Sequence, residues 1–395
     1  MKNIWIFNHY AQGDNIPGGT RHFDLAKELI KKGYKVTIFA AGFHYTLLKE
    51  MVDYKSSDHL VENKDGVKFV WVKTYPYKTN NYKRVLNILS YVVKLNFLIP
   101  KLNLEKPDII IGSTVHPFAP IIASRFAKKY KIPFILEIRD LWPQTFIDMG
   151  VWKENSIVSK AFKFVERFSV NSSSKIVVLS PLTIEYLSSQ YNYDENRILL
   201  LPNGVNKIFL KDIIQTYTKN INITYIGGID KVHGLEFLIY LANSLKKENI
   251  VFNIFGDGKN RTNLENIAKS LELENIIWHG SIPKTQVPEK LSEANLLFVS
   301  TSNVNYGSEN KLYEYMAVGK PIVSAVSSSH NDPVSTINCG VSLYRDSIEL
   351  SSKRLIEFIK TQKEQFKVLG KNGQNYVKEN RTISILANKL EEILY

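Results

Sequence analysis

The residues with the clearest chemical potential lie between Ser308 and Pro321, where a helix is predicted to follow a buried strand. The apolar run Leu296–Ser300 predicts the strand, and Gly319 predicts the end of the helix. The first N–H groups of a helix lack partners within it and suit a bound phosphate. Glu314, inside the first turns, can accept hydrogen bonds from sugar hydroxyls. One helix end therefore suits both halves of a nucleotide, although an ordinary strand-loop-helix with a solvated glutamate fits the same spacing.

Length and composition predict a two-domain globular protein in a reducing compartment. The chain has 395 residues, enough for two domains of ordinary size. Its single cysteine, Cys339, excludes an internal disulfide and a cysteine-based metal cluster. The first apolar run is too short for a signal peptide, and no window reaches the length of a transmembrane helix. We therefore expect a cytoplasmic protein.

Short apolar runs alternate with helical stretches along the chain, which predicts parallel strands joined by crossover helices. We expect an α/β protein of two Rossmann-like, doubly wound domains facing across a cleft, where open sheets bind ligands. The predicted domains are 1–205 and 206–381. The helical segment 382–395 is expected either to close the second domain or, as we favour, to cross back onto the first.

Glycines and polar residues follow the predicted strands of the first half. His9 comes directly after the first strand. Two glycines and a basic residue, Gly18, Gly19 and Arg21, open the first helix, a combination that suits a phosphate or a sugar. His116 follows a later strand and can donate a hydrogen bond to a sugar hydroxyl or a phosphate oxygen. A tight turn and a helix-capping histidine explain the same residues without a ligand.

Charged residues follow another strand of the first half. Alternation along this strand places Glu137 and Arg139 on one side, with Asp140 near the turn. An arginine–carboxylate pair is expected there, either as a buried structural bridge or as part of the lining of the cleft.

Glycine turns recur at the strand ends of the second half. They suit the approach of a nucleotide to the backbone, and they also suit plain turns. The candidate residues are Gly227, Gly228, Lys231 and Gly256. We predict no metal site, because the eight histidines are scattered without ligand spacing. The sequence also lacks a P-loop lysine motif.

Taken together, these motifs resemble glycosyltransferase family 4, whose members are nucleotide-sugar enzymes with the two-domain GT-B fold. The resemblance covers nearly the whole chain. The matching motifs are NHY at 8–10, GGTR at 18–21, EIRDLWP at 137–143, NGV at 203–205, and NKLYEY at 310–315 followed by GKP at 319–321. The subgroup resembled is that of bacterial surface polysaccharide enzymes, including N-acetyl-fucosamine transferases.

The resemblance implies a retaining transferase that uses a UDP-sugar, with a leaving diphosphate that acts as the base in front-side attack. Glu314 then binds the donor ribose and His116 contacts the donor sugar. Lys311 adds positive charge at the helix start that holds the diphosphate, so neither a metal nor a cofactor is expected. Further substrate-binding residues expected at the helix start are Ser308, Glu309, Asn310 and Leu312.

Two departures from the family pattern affect the predicted donor site. The family often has a second glutamate eight positions before Glu314, where this chain has Tyr306, which leaves open whether Glu309 substitutes. The usual arginine and lysine after the first strand of the donor domain are Gly228 and His233 here. Which cation neutralises the diphosphate is therefore open, with Lys231 the nearest candidate after that strand.

The positive charge of the chain is concentrated in part of the first domain. Basic residues exceed acidic residues by 13, and the segment from Lys73 to Lys101 combines lysines with aromatic and apolar residues without an acid. Such a segment suits an anionic membrane surface, and it also suits a core helix with a basic solvent face. We expect peripheral attachment to the inner face of the cell membrane, where an undecaprenyl-diphosphate-linked acceptor is presented.

The favoured function is transfer of an N-acetylated deoxyhexosamine from a UDP-sugar in O-antigen or capsule synthesis. Two rivals remain: a UDP-sugar epimerase or hydrolase of the same fold, and a non-catalytic basic protein that docks on membranes. We do not expect nucleic acid as a partner, because the sequence has no recognised reader motif and no basic tail.

Overall fold

The computed structural model describes residues 2–13, 19–79, 81–210, 220–301, 310–326 and 332–394. These residues form two compact units. The first unit runs to Pro202 and also contains the C-terminal segment from Ile383, whereas the second unit runs from Asn203 to Thr382.

The first unit is built on a mostly parallel sheet. Its strands are β1 (Asn3–Phe7), β2 (Lys35–Ala41), β3 (Phe43–His44), β4 (Lys49–Glu50), β5 (His59–Lys64), β6 (Val67–Val72), β7 (Ile109–Ser113), β8 (Phe134–Ile138), β9 (Lys175–Val178) and β10 (Ile198–Leu200). Within the described residues, eight of them form one sheet in the order β10-β9-β8-β7-β1-β2-β6-β5, and β3 pairs with β4. β1, β7 and β8 are buried along their whole length, as expected of parallel strands covered on both faces.

Helices join these strands. They are α1 (Arg21–Lys31), α2 (Tyr82–Leu98), α3 (Phe118–Tyr130), α4 (Gln144–Asp148), α5 (Ile157–Ser172) and α6 (Pro181–Tyr191). α3 contacts both α2 and α5. The antiparallel edge strand β5 was not predicted, because only Leu60 and Val61 of its six residues are apolar and it therefore lacks an apolar run.

The second unit has a fully parallel sheet. Its strands are β11 (Ile221–Ile226), β12 (Ile250–Phe255), β13 (Ile276–Gly280), β14 (Leu296–Ser300), β15 (Ile322–Ala325) and β16 (Gly340–Ser342). Within the described residues their order is β13-β12-β11-β14-β15-β16. The helices are α7 (Glu236–Ser244), α8 (Arg261–Ser270), α9 (Val287–Ser292), α10 (Asn310–Val318), α11 (Pro333–Thr336), α12 (Ile348–Gln362) and α13 (Phe366–Asn380). Two Rossmann-like α/β domains are thereby confirmed.

The last helix, α14 (Ile383–Glu391), packs on the first unit. Leu386 and Leu390 lie in the same apolar cluster as Phe23 and Leu29 of α1. Lys2 Nζ donates a hydrogen bond to the carbonyl of Leu394 at 2.8 Å, which fixes the chain after α14 beside the start of the sheet. The chain therefore leaves the second unit and ends on the first.

A buried carboxyl couples α5 to α6 in the first unit. Glu166 of α5 accepts hydrogen bonds from the hydroxyls of Tyr186, at 2.8 Å, and Tyr191. Burial raises the pKa of the Glu166 carboxyl to about 7, and the two hydroxyls oppose that rise. The charged form of Glu166 is therefore less favourable in the folded than in the unfolded protein.

The variant Glu166→Gln tests this coupling. The folded-state pKa lies above the ordinary value of 4.5, so the wild type loses stability as the pH rises from about 4.5 to about 7. Glutamine does not titrate. We therefore expect the free energy of unfolding of the variant, relative to that of the wild type, to be about 3 kcal/mol higher at pH 8 than at pH 4.5. Urea unfolding at both pH values measures the change. Glu185→Gln, at an exposed position of α6, is the control, and a pH-independent difference for Glu166→Gln would contradict the prediction.

Candidate active site

The ends of β11 and β14 define a ligand-binding position in the second unit. These two strands are neighbours, and β12 lies on the other side of β11, so the strand order reverses between β11 and β14. Loops leaving adjacent strands at such a reversal diverge and open a crevice at the carboxyl edge of the sheet. Glycines follow β11, and α10 is the next described helix after β14.

The helix α10 is fixed to the end of β11 by Tyr315. Its buried hydroxyl accepts a hydrogen bond from the backbone N–H of Ile226 at 2.7 Å and donates one to the Ile226 carbonyl at 2.8 Å. Gly319 ends the helix with a φ of +84°, a value in the left-handed region that favours glycine. The predicted end of this helix at Gly319 is confirmed.

Lys311 of α10 reaches the turn that follows β11. Its Nζ donates a hydrogen bond to the Tyr225 hydroxyl at 2.9 Å, and that hydroxyl donates to the Gly228 carbonyl at 2.6 Å. A Cβ atom at position 227 would lie 2.2 Å from Lys311 Cε, so the close approach of the lysine requires glycine there. Burial, and then the charge of Lys311, lower the pKa of His233 to about 4. Lys311 therefore brings a cation to this turn, beside a neutral histidine and the carboxylate of Asp230.

A second glycine turn supports the first. Gly256 adopts a φ of +136°, and a Cβ atom there would lie 1.8 Å from the Gly227 carbonyl oxygen. The Gly227 N–H donates to the Phe255 carbonyl at 3.0 Å. The two turns therefore pack backbone against backbone. Lys231 is exposed in the following turn and does not share the position of Lys311.

Glu314 lies one turn along α10 from Lys311. Its side chain is 24% exposed, and one carboxylate oxygen lies 3.9 Å from Lys284 Nζ. Burial raises the pKa of Glu314, while the charges of Lys284 and Lys311 lower it. The carboxylate is therefore accessible enough to accept a hydrogen bond and has two cations near it.

The remaining candidates of the helix start differ in their surroundings. Asn310 is exposed at the first described position of α10, whereas Leu312 is buried in the apolar core behind it. Leu312 thus supports the position of the helix through packing. Ser308, Glu309 and Gly18, predicted as binding residues, lie outside the described residues.

In the first unit, the sheet order again reverses between β1 and β7, and a histidine follows each of these strands. His9 Nδ1 and His116 Nε2 are 2.7 Å apart, and both side chains are buried. His116 Nδ1 accepts a hydrogen bond from the N–H of Phe118 at 3.3 Å, so its ring proton is on Nε2 and is donated to His9. Burial is the main cause that lowers both pKa values, that of His116 to about 3. The pair is therefore neutral.

This arrangement leaves the ring proton of His9 on Nε2. That atom is buried and has no hydrogen-bond partner among the described residues. The ring of His9 stacks on Tyr91 at a centroid distance of 4.4 Å, and the Tyr91 hydroxyl donates to the Phe39 carbonyl at 2.8 Å. A rigid stack therefore holds a hydrogen-bond donor that none of the described residues engages.

Glu137 organises the base of this region and corrects one prediction. Its expected partner was Arg139, but Arg21 Nε donates to Glu137 Oε1 at 2.9 Å, and His22 Nε2 lies 2.7 Å from Oε2. Ser113 Oγ donates to the same Oε2 at 2.7 Å. Burial alone would raise the pKa of Glu137, but the neighbouring His22 and Arg21 hold it well below its usual range. The buried carboxylate thus joins the start of α1 to the ends of β7 and β8.

His22 was not singled out from the sequence, and its tautomer follows from a chain of hydrogen bonds. Asn8 Oδ1 accepts from the N–H of Tyr10 at 3.0 Å, so the Asn8 amide nitrogen, 2.7 Å from His22 Nδ1, donates to it. The ring proton of His22 is therefore on Nε2, towards Glu137. Arg21 also donates to the carbonyls of Leu201 and Pro202, at 2.7 and 2.8 Å. The guanidinium of Arg21 is thus engaged by acceptors of the protein. That Arg21 also binds a substrate stays a prediction.

Arg139 and Gly19 lie together beside this network. Arg139 Nη2 is 3.7 Å from the position that a Cβ atom of residue 19 would take. Arg139 Nε is buried and has no hydrogen-bond partner among the described residues. Asp140, by contrast, is exposed at the following position.

No three His, Cys, Asp or Glu side chains of the described chain come together as metal ligands. No described helix is long and apolar enough to cross a membrane.

Comparison with protein families finds a glycosyltransferase model that matches each half of the chain. Residues 18–207 match the model "Glycosyltransferase Family 4", and residues 206–376 match "Glycosyl transferases group 1". The two halves of the chain are therefore similar to family 4 and group 1 glycosyltransferase domains, which supports a glycosyltransferase. The narrower resemblance to N-acetyl-fucosamine transferases stays a prediction.

Relatives and solved structures agree with this assignment. The probable glycosyltransferase WbjE of Pseudomonas aeruginosa is 21% identical over 51% of this chain, and the match spans 52% of its own length. The putative colanic acid biosynthesis glycosyl transferase WcaI of Escherichia coli is 22% identical over 75% of this chain and 76% of its own.

Among solved structures, sucrose-phosphate synthase from Thermosynechococcus elongatus has a TM-score of 0.77 at 15% identity, covering 100% of this chain and 98% of its own. HepE of Anabaena, in complex with UDP and glucose, has a TM-score of 0.68 at 13% identity, with coverages of 100% and 99%. These likenesses confirm the GT-B fold.

Removal of the Tyr315 hydroxyl tests how α10 is held. In Tyr315→Phe the buried N–H and carbonyl of Ile226 each lose a partner, which we expect to cost about 1–3 kcal/mol of stability. Urea unfolding followed by far-UV circular dichroism measures the loss. Tyr240→Phe is the control, because that side chain is exposed on α7. Equal stability of the two variants would show that the helix is held by its apolar packing alone.

Proposed function

We propose that the protein is a retaining glycosyltransferase that moves a sugar from a UDP-sugar to a lipid-diphosphate-linked sugar during surface polysaccharide synthesis. The observation that carries the proposal is the position of Lys311 Nζ beside Tyr225 and the Gly227 turn, on the helix that also bears Glu314. We infer an N-acetylated deoxyhexosamine as the transferred sugar from the subgroup that the sequence resembles.

Lys311 is suited to bind the diphosphate of the donor. Negative charge develops on the diphosphate as the bond to the sugar breaks, and a fixed cation next to it lowers the barrier. The glycine turn exposes backbone next to the lysine, and the positive end of the α10 dipole adds to the field. The sequence left open which cation neutralises the diphosphate. We assign this role to Lys311 rather than to Lys231.

Glu314 is suited to the ribose of the same nucleotide. An ionised carboxylate accepts two hydrogen bonds, which matches the two hydroxyls of a ribose. Lys284 and Lys311 favour the ionised form and oppose the effect of burial. The donor should therefore bind less tightly as the pH falls and Glu314 gains a proton.

The histidine pair is suited to bind sugar hydroxyls. Both rings are neutral and do not attract the diphosphate. Because both nitrogens of His116 are engaged, the Nε2–H of His9 is the group that offers a directional hydrogen bond. His116 is held by Phe118 and His9, which fixes its ring in one orientation. In front-side attack the leaving diphosphate takes the proton of the acceptor hydroxyl, so neither histidine acts as a base.

The relatives support a role in surface polysaccharide synthesis. WcaI is named for colanic acid biosynthesis, and HepE was solved with UDP and glucose. Release of sugar from the donor in the absence of an acceptor would instead favour the rival function, a UDP-sugar hydrolase of the same fold.

Attachment to an anionic membrane is supported by the exposed face of α2. Its apolar side chains at Val85, Leu89, Val93 and Phe97 are 40–63% exposed, and the helix contains lysines but no acid. α5 exposes a second stripe, with Phe164 73% exposed. Apolar side chains flanked by lysines suit the interface of an anionic bilayer.

The variant Glu314→Ala tests the donor site. We expect the donor KM to rise at least tenfold, because two charge-assisted hydrogen bonds to the ribose are lost. Steady-state kinetics with purified enzyme, donor and acceptor measures the effect. Glu274→Ala, at an exposed position of the second unit, is the matched control. Activity of Glu314→Ala within a few-fold of the control would remove Glu314 from the donor site.

Charge reversal on α2 tests membrane attachment. We expect the combined variant Lys83→Glu, Arg84→Glu and Lys94→Glu to bind liposomes that contain phosphatidylglycerol less tightly, since each basic residue contributes about 1 kcal/mol near such a surface. Liposome co-sedimentation at low salt measures the binding. The control reverses three exposed lysines of the second unit: Lys246, Lys247 and Lys269. Undiminished binding of the α2 variant would reject the attachment.

A further inference from the structure

A group of aromatic side chains surrounds the histidine pair of the first unit. Tyr10 stacks on Tyr45 at a centroid distance of 4.6 Å and meets His116 edge to face at 6.0 Å. Tyr77 packs against Phe43 at 4.8 Å. The Tyr77 hydroxyl is buried and has no hydrogen-bond partner among the described residues. Like His9 Nε2, it is a polar group left for a ligand.

Arg84 of α2 brings positive charge to this group. Arg84 lies seven residues before Tyr91, on the same face of α2, and the Tyr91 ring stacks on His9 at a centroid distance of 4.4 Å. In agreement with this position, the charge of Arg84 contributes to the pKa shifts of both histidines and of Tyr10 and Tyr77. The side chain is half-buried, and no carboxylate of the described chain forms an ion pair with it. A guanidinium among tyrosines and neutral histidines, without a counter-ion, is suited to bind an anion.

The position of Arg84 in α2 favours an anion that arrives from a lipid. Arg84 lies in the first turn of this 17-residue helix, where the helix dipole also favours negative charge. The same helix exposes the apolar stripe from Val85 to Phe97. The lipid chain of a lipid-linked phosphate can therefore pack on the apolar surface beside Arg84. A free nucleotide has no apolar chain that could pack there.

We propose that Arg84, with the hydroxyls of Tyr10 and Tyr77, binds the phosphate of a polyprenyl-phosphate-linked acceptor. This proposal rests on the proposed function and adds the residue that recognises the acceptor. Arg84 is a binding residue and takes no part in bond breaking. The guanidinium forms two parallel hydrogen bonds to phosphate oxygens, a geometry that lysine cannot reproduce.

Binding of farnesyl diphosphate, a short polyprenyl diphosphate, tests the proposal by isothermal titration calorimetry. We expect Arg84→Gln to weaken binding about ten- to hundredfold, Arg84→Lys to weaken it less, and Tyr77→Phe to weaken it several-fold. Arg125→Gln, an exposed arginine of α3, is the matched control. Equal affinities for Arg84→Gln and Arg125→Gln would overturn the proposal. Thermal melting of each variant separates loss of binding from loss of folding.

Three further ligands identify the recognised group. If Arg84→Gln also binds inorganic pyrophosphate more weakly than the wild type does, the result supports recognition of the phosphate itself. If Arg84→Gln loses affinity only for phosphatidylglycerol vesicles, Arg84 contacts bulk lipid, and the assignment of Arg84 to the acceptor phosphate is overturned. UDP affinity should be unchanged in Arg84→Gln, and its loss would move Arg84 to the donor site. Absence of UDP binding in the wild type would reject the proposed function, while the farnesyl diphosphate series still decides on Arg84.

Discussion

The candidate active site depends on the close approach of α10 to the end of β11. The Tyr315 hydroxyl bridges the N–H and carbonyl of Ile226, and Lys311 occupies the space that a side chain at Gly227 would need. These contacts fix the lysine and the first turn of α10 at one place on the sheet edge. An anion bound there would meet a positive charge and a helix end that are already in place, which is what electrostatic catalysis requires.

The first unit uses a different principle, because its site is held by buried and mostly neutral groups. A carboxylate, Glu137, is neutralised within the protein by Arg21 and by contact with His22, and this network sets the ends of β7 and β8. Above it the histidine pair is kept neutral by burial. Among the described residues no carboxylate pairs with Arg84 at this aromatic group. Our proposals accordingly assign the leaving group to the second unit and the acceptor to the first.

Much of the fold could be predicted from the sequence, because parallel strands are continuous apolar runs and their crossover helices are periodic. The end of α10 at Gly319 followed from the need for a left-handed residue. The edge strand β5 was missed because one of its faces is solvated. The partner of Glu137 was misassigned to Arg139, since an ion pair between a strand end and a distant helix start leaves no local pattern. The tautomers of His9, His116 and His22 depend on three-dimensional neighbours and could not be predicted. The position of Arg84 near the histidine pair could not be predicted either, because Arg84 lies far from both histidines in the sequence.

The affinity for UDP decides most directly whether the α10 site binds a nucleotide. Isothermal titration of UDP into the wild type, Lys311→Gln and the exposed-lysine control Lys269→Gln compares the predicted cation with a matched change on α8. Loss of one charge-assisted hydrogen bond predicts that Lys311→Gln binds UDP about tenfold more weakly, with Lys269→Gln unchanged. Equal UDP affinity in all three proteins would contradict the account, because the diphosphate would then lie elsewhere.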